Sequence, residues 1–145
     1  DYEHVPLHDQ LELGLRKLEL DVFYQPQSLT FPVGHVQVID MNSHCLTLRA
    51  CLYEVVQWSD ANPQHAPIWI IFNAKVQQID WLPAPTLFDF QAFSIMDDVL
   101  EEVMGSRLIR PAAVKPPGAS LPMWPTLDEA RGKFLVILDE SGAKR

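Results

Sequence analysis

Basic residues are scarce. Eleven Lys and Arg stand against nineteen Asp and Glu, a formal net charge of −8. A field of that sign opposes non-specific binding to nucleic acid and to anionic bilayers. "SRLIRP", with Arg107 and Arg110, is the one modest basic cluster. Long apolar runs are missing too: no window of about 18 uninterrupted apolar residues exists, so no helical membrane span is expected. The only two cysteines, Cys45 and Cys51, do not form a metal-ligand spacing. Read as lying in and near a helix, more than a turn and a half apart, they are expected to be free buried thiols. The redox compartment then stays open. The opening "DYEHVPLHDQ" has neither a basic n-region nor an apolar h-region, so no secretory signal is expected within it, as would hold for a mature secreted chain. Internal repeats and low-complexity tracts are likewise lacking.

What is present suits one globular core: 145 residues, 48% hydrophobic and 21% charged. That is too short for two ordinary domains. "LRKLELDVFYQP" alternates Leu18, Leu20 and Val22 with Lys17, Glu19 and Asp21, a period-two strand with one apolar and one charged face. "APIWIIFNAK" is a continuous apolar run of the kind buried on both faces of a parallel sheet. "TLRACLYEVVQWSDANP" starts at a Thr47 cap, places Leu48, Cys51, Leu52, Val55 and Val56 on one helical face, and stops before Pro63. "TLFDFQAFSIMDDVLEEVMG" reads as a long amphipathic helix closed by Gly105, with Phe90, Phe93, Met96 and Met104 as core.

"PLHDQLELG" and "PTLDEARG" read as short helices ending at Gly14 and Gly132, each followed directly by a strand. Thr126 with Glu129 fits a capping box. The predicted order is helix to Gly14, strand 15–23, a short strand near 36–40, helix 48–60, strand 67–75, helix 87–104, helix 127–131 and strand 133–139. Strands alternating with helices imply an α/β fold with a parallel sheet.

Function in such folds collects at the carboxyl ends of strands. Glu19, Asp21, His44, Asn73 and Lys75 come from three consecutive segments near those ends. Two carboxylates and an amide oxygen suit a hard divalent ion such as calcium, histidine suits proton transfer, and lysine suits a phosphate oxygen. Each has a structural alternative. Glu19 and Asp21 fit a solvated edge strand, His44 a turn, Asn73 a turn and Lys75 a solvent-facing strand end. His4, His8, His35 and His65 lie in polar or turn contexts and receive no role.

In "LRKLELDVFYQP", "SHCLTLRACLYEVVQWSDANPQHAPIWI", "FNAK" and "WPTLDEARGKFLVILD", the chain resembles the calcium-dependent phosphoinositide phospholipase C-like phosphodiesterases in their bacterial form. The resemblance implies a TIM-type (β/α) barrel that cleaves a phosphodiester of a phospholipid head group through a cyclic phosphate. It implies Ca2+ as cofactor on Glu19, Asp21 and Asn73, with Asn73 standing where the family has an acidic ligand. His44 would match a catalytic histidine, and Lys75 a phosphate-contacting lysine.

A secreted or periplasmic location and transient contact with a membrane surface follow from the same likeness. The family's histidine–asparagine strand has no counterpart before Asp1, and a complete barrel needs about 250 residues. Residues 1–145 are therefore expected to be about half of a catalytic domain, with little turnover alone. Either self-association or a missing complementary half is expected with it. The alternatives are a non-catalytic binding or assembly subunit and a glycerophosphodiester phosphodiesterase-like enzyme.

Overall fold

The computed structural model of the chain describes residues 4–139. The order of elements is α1 (Leu7–Glu12), β1 (Lys17–Val22), α2 (Leu48–Ala61), β2 (Ile68–Ala74), α3 (Phe90–Met104), a 3-10 turn (Gly105–Arg107), α4 (Pro111–Val114) and β3 (Phe134–Asp139). The strands form one parallel sheet in the order β1-β2-β3. The α/β expectation is met, with consecutive strands as neighbours.

The alternation of β1 sets which side is packed. Leu18, Leu20 and Val22 are buried together with Ile68, Ile70, Phe72 and Phe134, and this face joins one core with α2 and α3. Full burial of each such side chain stabilises by about 1.5–3 kcal/mol relative to leaving it exposed. In α2, Thr47 accepts from the amide of Ala50 at 3.2 Å, and Leu48, Cys51, Leu52, Val55 and Val56 are all buried, as the helical spacing requires. In α3 the cap is Asp89, whose carboxylate accepts from the amide of Ala92 at 2.8 Å.

The opposite face of the sheet has no helical layer among the described residues. Lys17, Glu19, Trp69 and Ile137 are exposed there, and Trp124 stacks on Trp69 with ring centroids 6.5 Å apart.

Four expectations are corrected. Cys45 and Cys51 are not thiols but a disulfide, with Cα atoms 5.0 Å apart. Along a continuous helix six residues rise about 9 Å. Cys45, however, precedes the Thr47 cap in non-helical chain, and the bend brings the two together. The segment 36–40 is a tight turn rather than a strand: Asp40 N donates to Val36 O at 2.8 Å, Val36 N to Asp40 O at 3.0 Å, and Val38 sits at φ +70°.

The segment 127–131 is a single turn, not a helix. The capping box forms, with Thr126 N donating to Glu129 Oε2 at 2.8 Å, yet Gly132 at φ +69° ends the turn at once. A Cβ there would lie 2.7 Å from Pro63 O. Finally, Met96 and Met104 are core but Phe90 is 90% exposed, because it occupies the first helical position, beyond the packed stretch.

Candidate functional site

The loop from Phe23 to Thr47 folds back over the carboxyl end of β1. Phe23 N donates to Pro32 O at 2.9 Å, and Gly34 N donates to Asp21 O at 3.1 Å. Gly34 has no substitute here: a Cβ would meet Met41 Sδ at 2.7 Å and Met41 Cα at 2.9 Å. This return encloses a cavity of about 320 Å³ lined by Glu19, Asp21, His35, Asp40 and His44 among others. The two carboxylates and His44 do share one cavity, as expected from the sequence.

Register brings Asn73 opposite Asp21. Its Nδ2 donates to Asp21 Oδ1 at 2.8 Å. Lys75, one residue past the end of β2, places Nζ 3.1 Å from Asp21 Oδ2, with both side chains about three-quarters buried. Both oxygens of Asp21 thus have a donor. The two like charges of β1 are tolerated because Asp21 is neutralised by Lys75 while Glu19 reaches solvent. Lys75 also lines a neighbouring cavity of about 170 Å³ with His35 and Gln77.

One pair went unread in the sequence. His35 Nδ1 lies 3.4 Å from Asp40 Oδ2, with the Asp40 side chain 13% exposed and His35 about half exposed. Period two over 36–40 would put residues 35 and 40 on opposite faces. The tight turn at Val38 instead brings them together. A histidine followed five residues later by an aspartate, with a turn between, was the available signal.

Among the described residues no three of His, Cys, Asp and Glu approach closely enough to hold a metal by themselves. Glu19, Asp21 and the Asn73 amide supply oxygens of the hard type that calcium prefers, with Asp21 and Asn73 on facing positions of two strands. This set carries one negative charge fewer than three carboxylates would.

The chain matches the sequence model of the family described as phosphoinositide phospholipase C, Ca2+-dependent, over residues 27–145. The chain belongs to this family. Calcium is therefore the cofactor of the phospholipase C family in which His35, His44, Asn73 and Lys75 fall, while Glu19 and Asp21 precede the matched stretch. No curated protein sequence matches the chain.

Among solved structures, a Ca2+-dependent phosphatidylinositol-specific phospholipase C from Streptomyces antibioticus superposes with a TM-score of 0.73 at 21% identity, covering 94% of this chain and 49% of its own. A calcium-dependent phosphoinositol-specific phospholipase C from Pseudomonas sp, in its myoinositol complex, superposes at 0.71 and 22% identity, covering 97% of this chain and 55% of its own. The apo form of the Pseudomonas enzyme gives 0.70 at 23%, covering 94% and 52%. This phospholipase C relative thus spans about half the length of those enzymes and shares their fold over that half.

Proposed function

We propose that the cavity is part of the catalytic site of a calcium-dependent phosphodiesterase of phospholipase C type, cleaving a phosphoinositide head group through a cyclic phosphate. The observation that carries this reading is one cavity lined by the two β1 carboxylates, the His35–Asp40 pair and His44. Glu19, Asp21 and Asn73 would hold calcium. When bound, the ion neutralises charge on the phosphate and lowers the pKa of the attacking hydroxyl.

His35 is held by Asp40, so its imidazole is oriented to accept the proton of the substrate's own hydroxyl as that oxygen attacks phosphorus. His44, on the same cavity, would return a proton to the departing oxygen. The bond formed is from an inositol hydroxyl oxygen to phosphorus, and the bond broken is phosphorus to the glycerol-side oxygen. Asp40 stabilises the imidazolium that forms in between.

Parallel neighbours in consecutive order, with helices packed on one face, support reading the sheet as adjacent staves of a TIM-type barrel. The open face, with Trp69 and Ile137 exposed, supports either a complementary half or a second copy against it. The disulfide supports a secreted or periplasmic location. Exposed Val38, Ile39 and Trp81, on the loops that follow the strands, support transient contact with a lipid surface. Asn73 in place of a third carboxylate favours a second reading, a binding subunit without turnover.

The test is calorimetric titration of the 145-residue chain with calcium, then with a cyclic inositol phosphate in calcium. Saturable binding of both, with the calcium heat lost in Asp21→Ala, is expected. Absence of calcium binding in the unaltered chain overturns the proposal, and calcium binding without inositol-phosphate binding overturns the substrate.

A further inference from the structure

Lys75 was expected to contact phosphate, yet its ammonium is spent on Asp21. We propose that Lys75 is a resident counter-ion, which holds the metal-ligating carboxylate in the calcium-free protein and is expelled into the cavity when the metal loads. The inference rests on the calcium reading above and deepens it.

Asp21 is the reason. Its Oδ1 already accepts from Asn73 Nδ2 at 2.8 Å, and its Oδ2 already faces Lys75 Nζ at 3.1 Å. Asn73 can offer its amide oxygen to a cation regardless, but Asp21 can serve one fully only after an ammonium leaves. An ammonium and a divalent ion cannot share the same carboxylate oxygen without like-charge repulsion at contact distance. With Asn73 where another carboxylate would add charge, Asp21 and Glu19 alone must hold both, so competition is strong.

The pair is also built for exchange rather than permanence. Lys75 lies one residue beyond the last residue of β2, its backbone tied to β1 by Lys75 N donating to Val22 O at 2.8 Å. The backbone is fixed, while the four-carbon stem has rotatable bonds that can carry the ammonium elsewhere. One swing direction is open: Lys75 borders the second cavity, which also has His35 on its wall. Released there, the ammonium sits where it can pair with an anionic phosphate near the His35–Asp40 pair. Metal loading and the appearance of a phosphate-binding cation then become one event, and free phosphate esters should bind poorly before calcium does.

The experiment compares calcium affinity by calorimetry in the unaltered chain, Lys75→Met and Lys75→Arg. Lys75→Met is expected to bind calcium about tenfold more tightly, because no bridge must break and no cation remains nearby. Lys75→Arg keeps the charge and is expected to gain nothing. A second measurement needs no variant: labelling with an amine-reactive ester, read by mass spectrometry. Modification of Lys75 should rise severalfold on adding calcium while Lys17 and Lys133 stay constant. Equal calcium affinity in all three proteins, weaker binding in Lys75→Met, or unchanged Lys75 labelling at saturating calcium overturns the inference and leaves the calcium reading standing. Calcium binding to none of them overturns both.

Discussion

Two histidines, at opposite ends of the same sheet, are built in opposite ways. At the amino-terminal end His65 is 7% exposed. Its Nδ1 faces the carbonyl of Ala66 at 2.6 Å, which can only accept, so Nδ1 carries the proton. Nε2 therefore accepts from the Ser59 hydroxyl at 2.7 Å, and Arg107 donates to that hydroxyl at 3.3 Å. Its neighbours are aromatic or cationic: Trp58, Phe134, Arg16 and Arg107. At the carboxyl end His35 is half exposed, faces a carboxylate and borders two cavities. One imidazole is locked neutral as a structural bolt. The other stands beside a carboxylate on the wall of two cavities. Burial and partner charge, not the residue type, separate mortar from machinery.

The comparison breaks most severely at the bolt's own packing. Phe134 is fully buried, lies 6.0 Å from the His65 ring and has the Arg107 guanidinium 5.3 Å over its face. Phe134→Ala is expected to cost about 3–5 kcal/mol in denaturant unfolding, through lost contacts and a cavity. A loss near zero would mean that the amino-terminal end is not the anchor described here.

At the other end, in a protein that carries the rest of the barrel, His35→Ala is expected to lower calcium-dependent release of inositol phosphate by about 10²–10⁴-fold. His65→Gln should stay within about a factor of two of the unaltered protein. Equal effects on turnover from the two substitutions would erase the distinction. Next in size is the disulfide, which ties the cavity wall at Cys45 to α2. Replacing both cysteines with alanine is expected to cost about 2 kcal/mol, since the loop it closes is short, and thermal unfolding measures it.

The smallest effect sharpens the contrast by pH. Burial pushes the His65 pKa below its ordinary 6.5, and the charges of Arg16 and Arg107 add to the push. The unfolded chain therefore binds a proton that the folded chain refuses. Stability from this group is complete above about pH 6.5 and is lost as pH falls from there toward the lower folded value. His65→Gln should flatten the stability-against-pH curve in that window, and an unchanged curve would assign the slope to other groups.

The parts legible in the sequence were those with a long, repeated physical signal. Leu48, Cys51, Leu52, Val55 and Val56 recur at helical spacing from 48 to 56, and the 14-residue α2 followed. The apolar run at β2 and the alternation at β1 were equally plain, and with them the neighbourhood of Asp21, Asn73 and Lys75. What stayed hidden depends on a few degrees of backbone in short segments. The His35–Asp40 pair needs the left-handed Val38, and the disulfide needs the bend before Thr47. The turn at 127–131 carries a genuine capping box that Gly132 stops after one turn, so a local start signal lost to a local stop. Lys75 was read as a phosphate-contacting lysine, with a solvent-facing strand end as its alternative; its ion pair with Asp21 comes from the sheet register.

The stacked indoles of Trp69 and Trp124 give the molecule an intrinsic optical gauge. They lie on the side of the sheet that has no helical layer among the described residues, so any surface settling there would dry both rings at once. Their fluorescence would move to shorter wavelength and their paired circular-dichroism band would change. Any protein surface that covers this face is thus readable without a label.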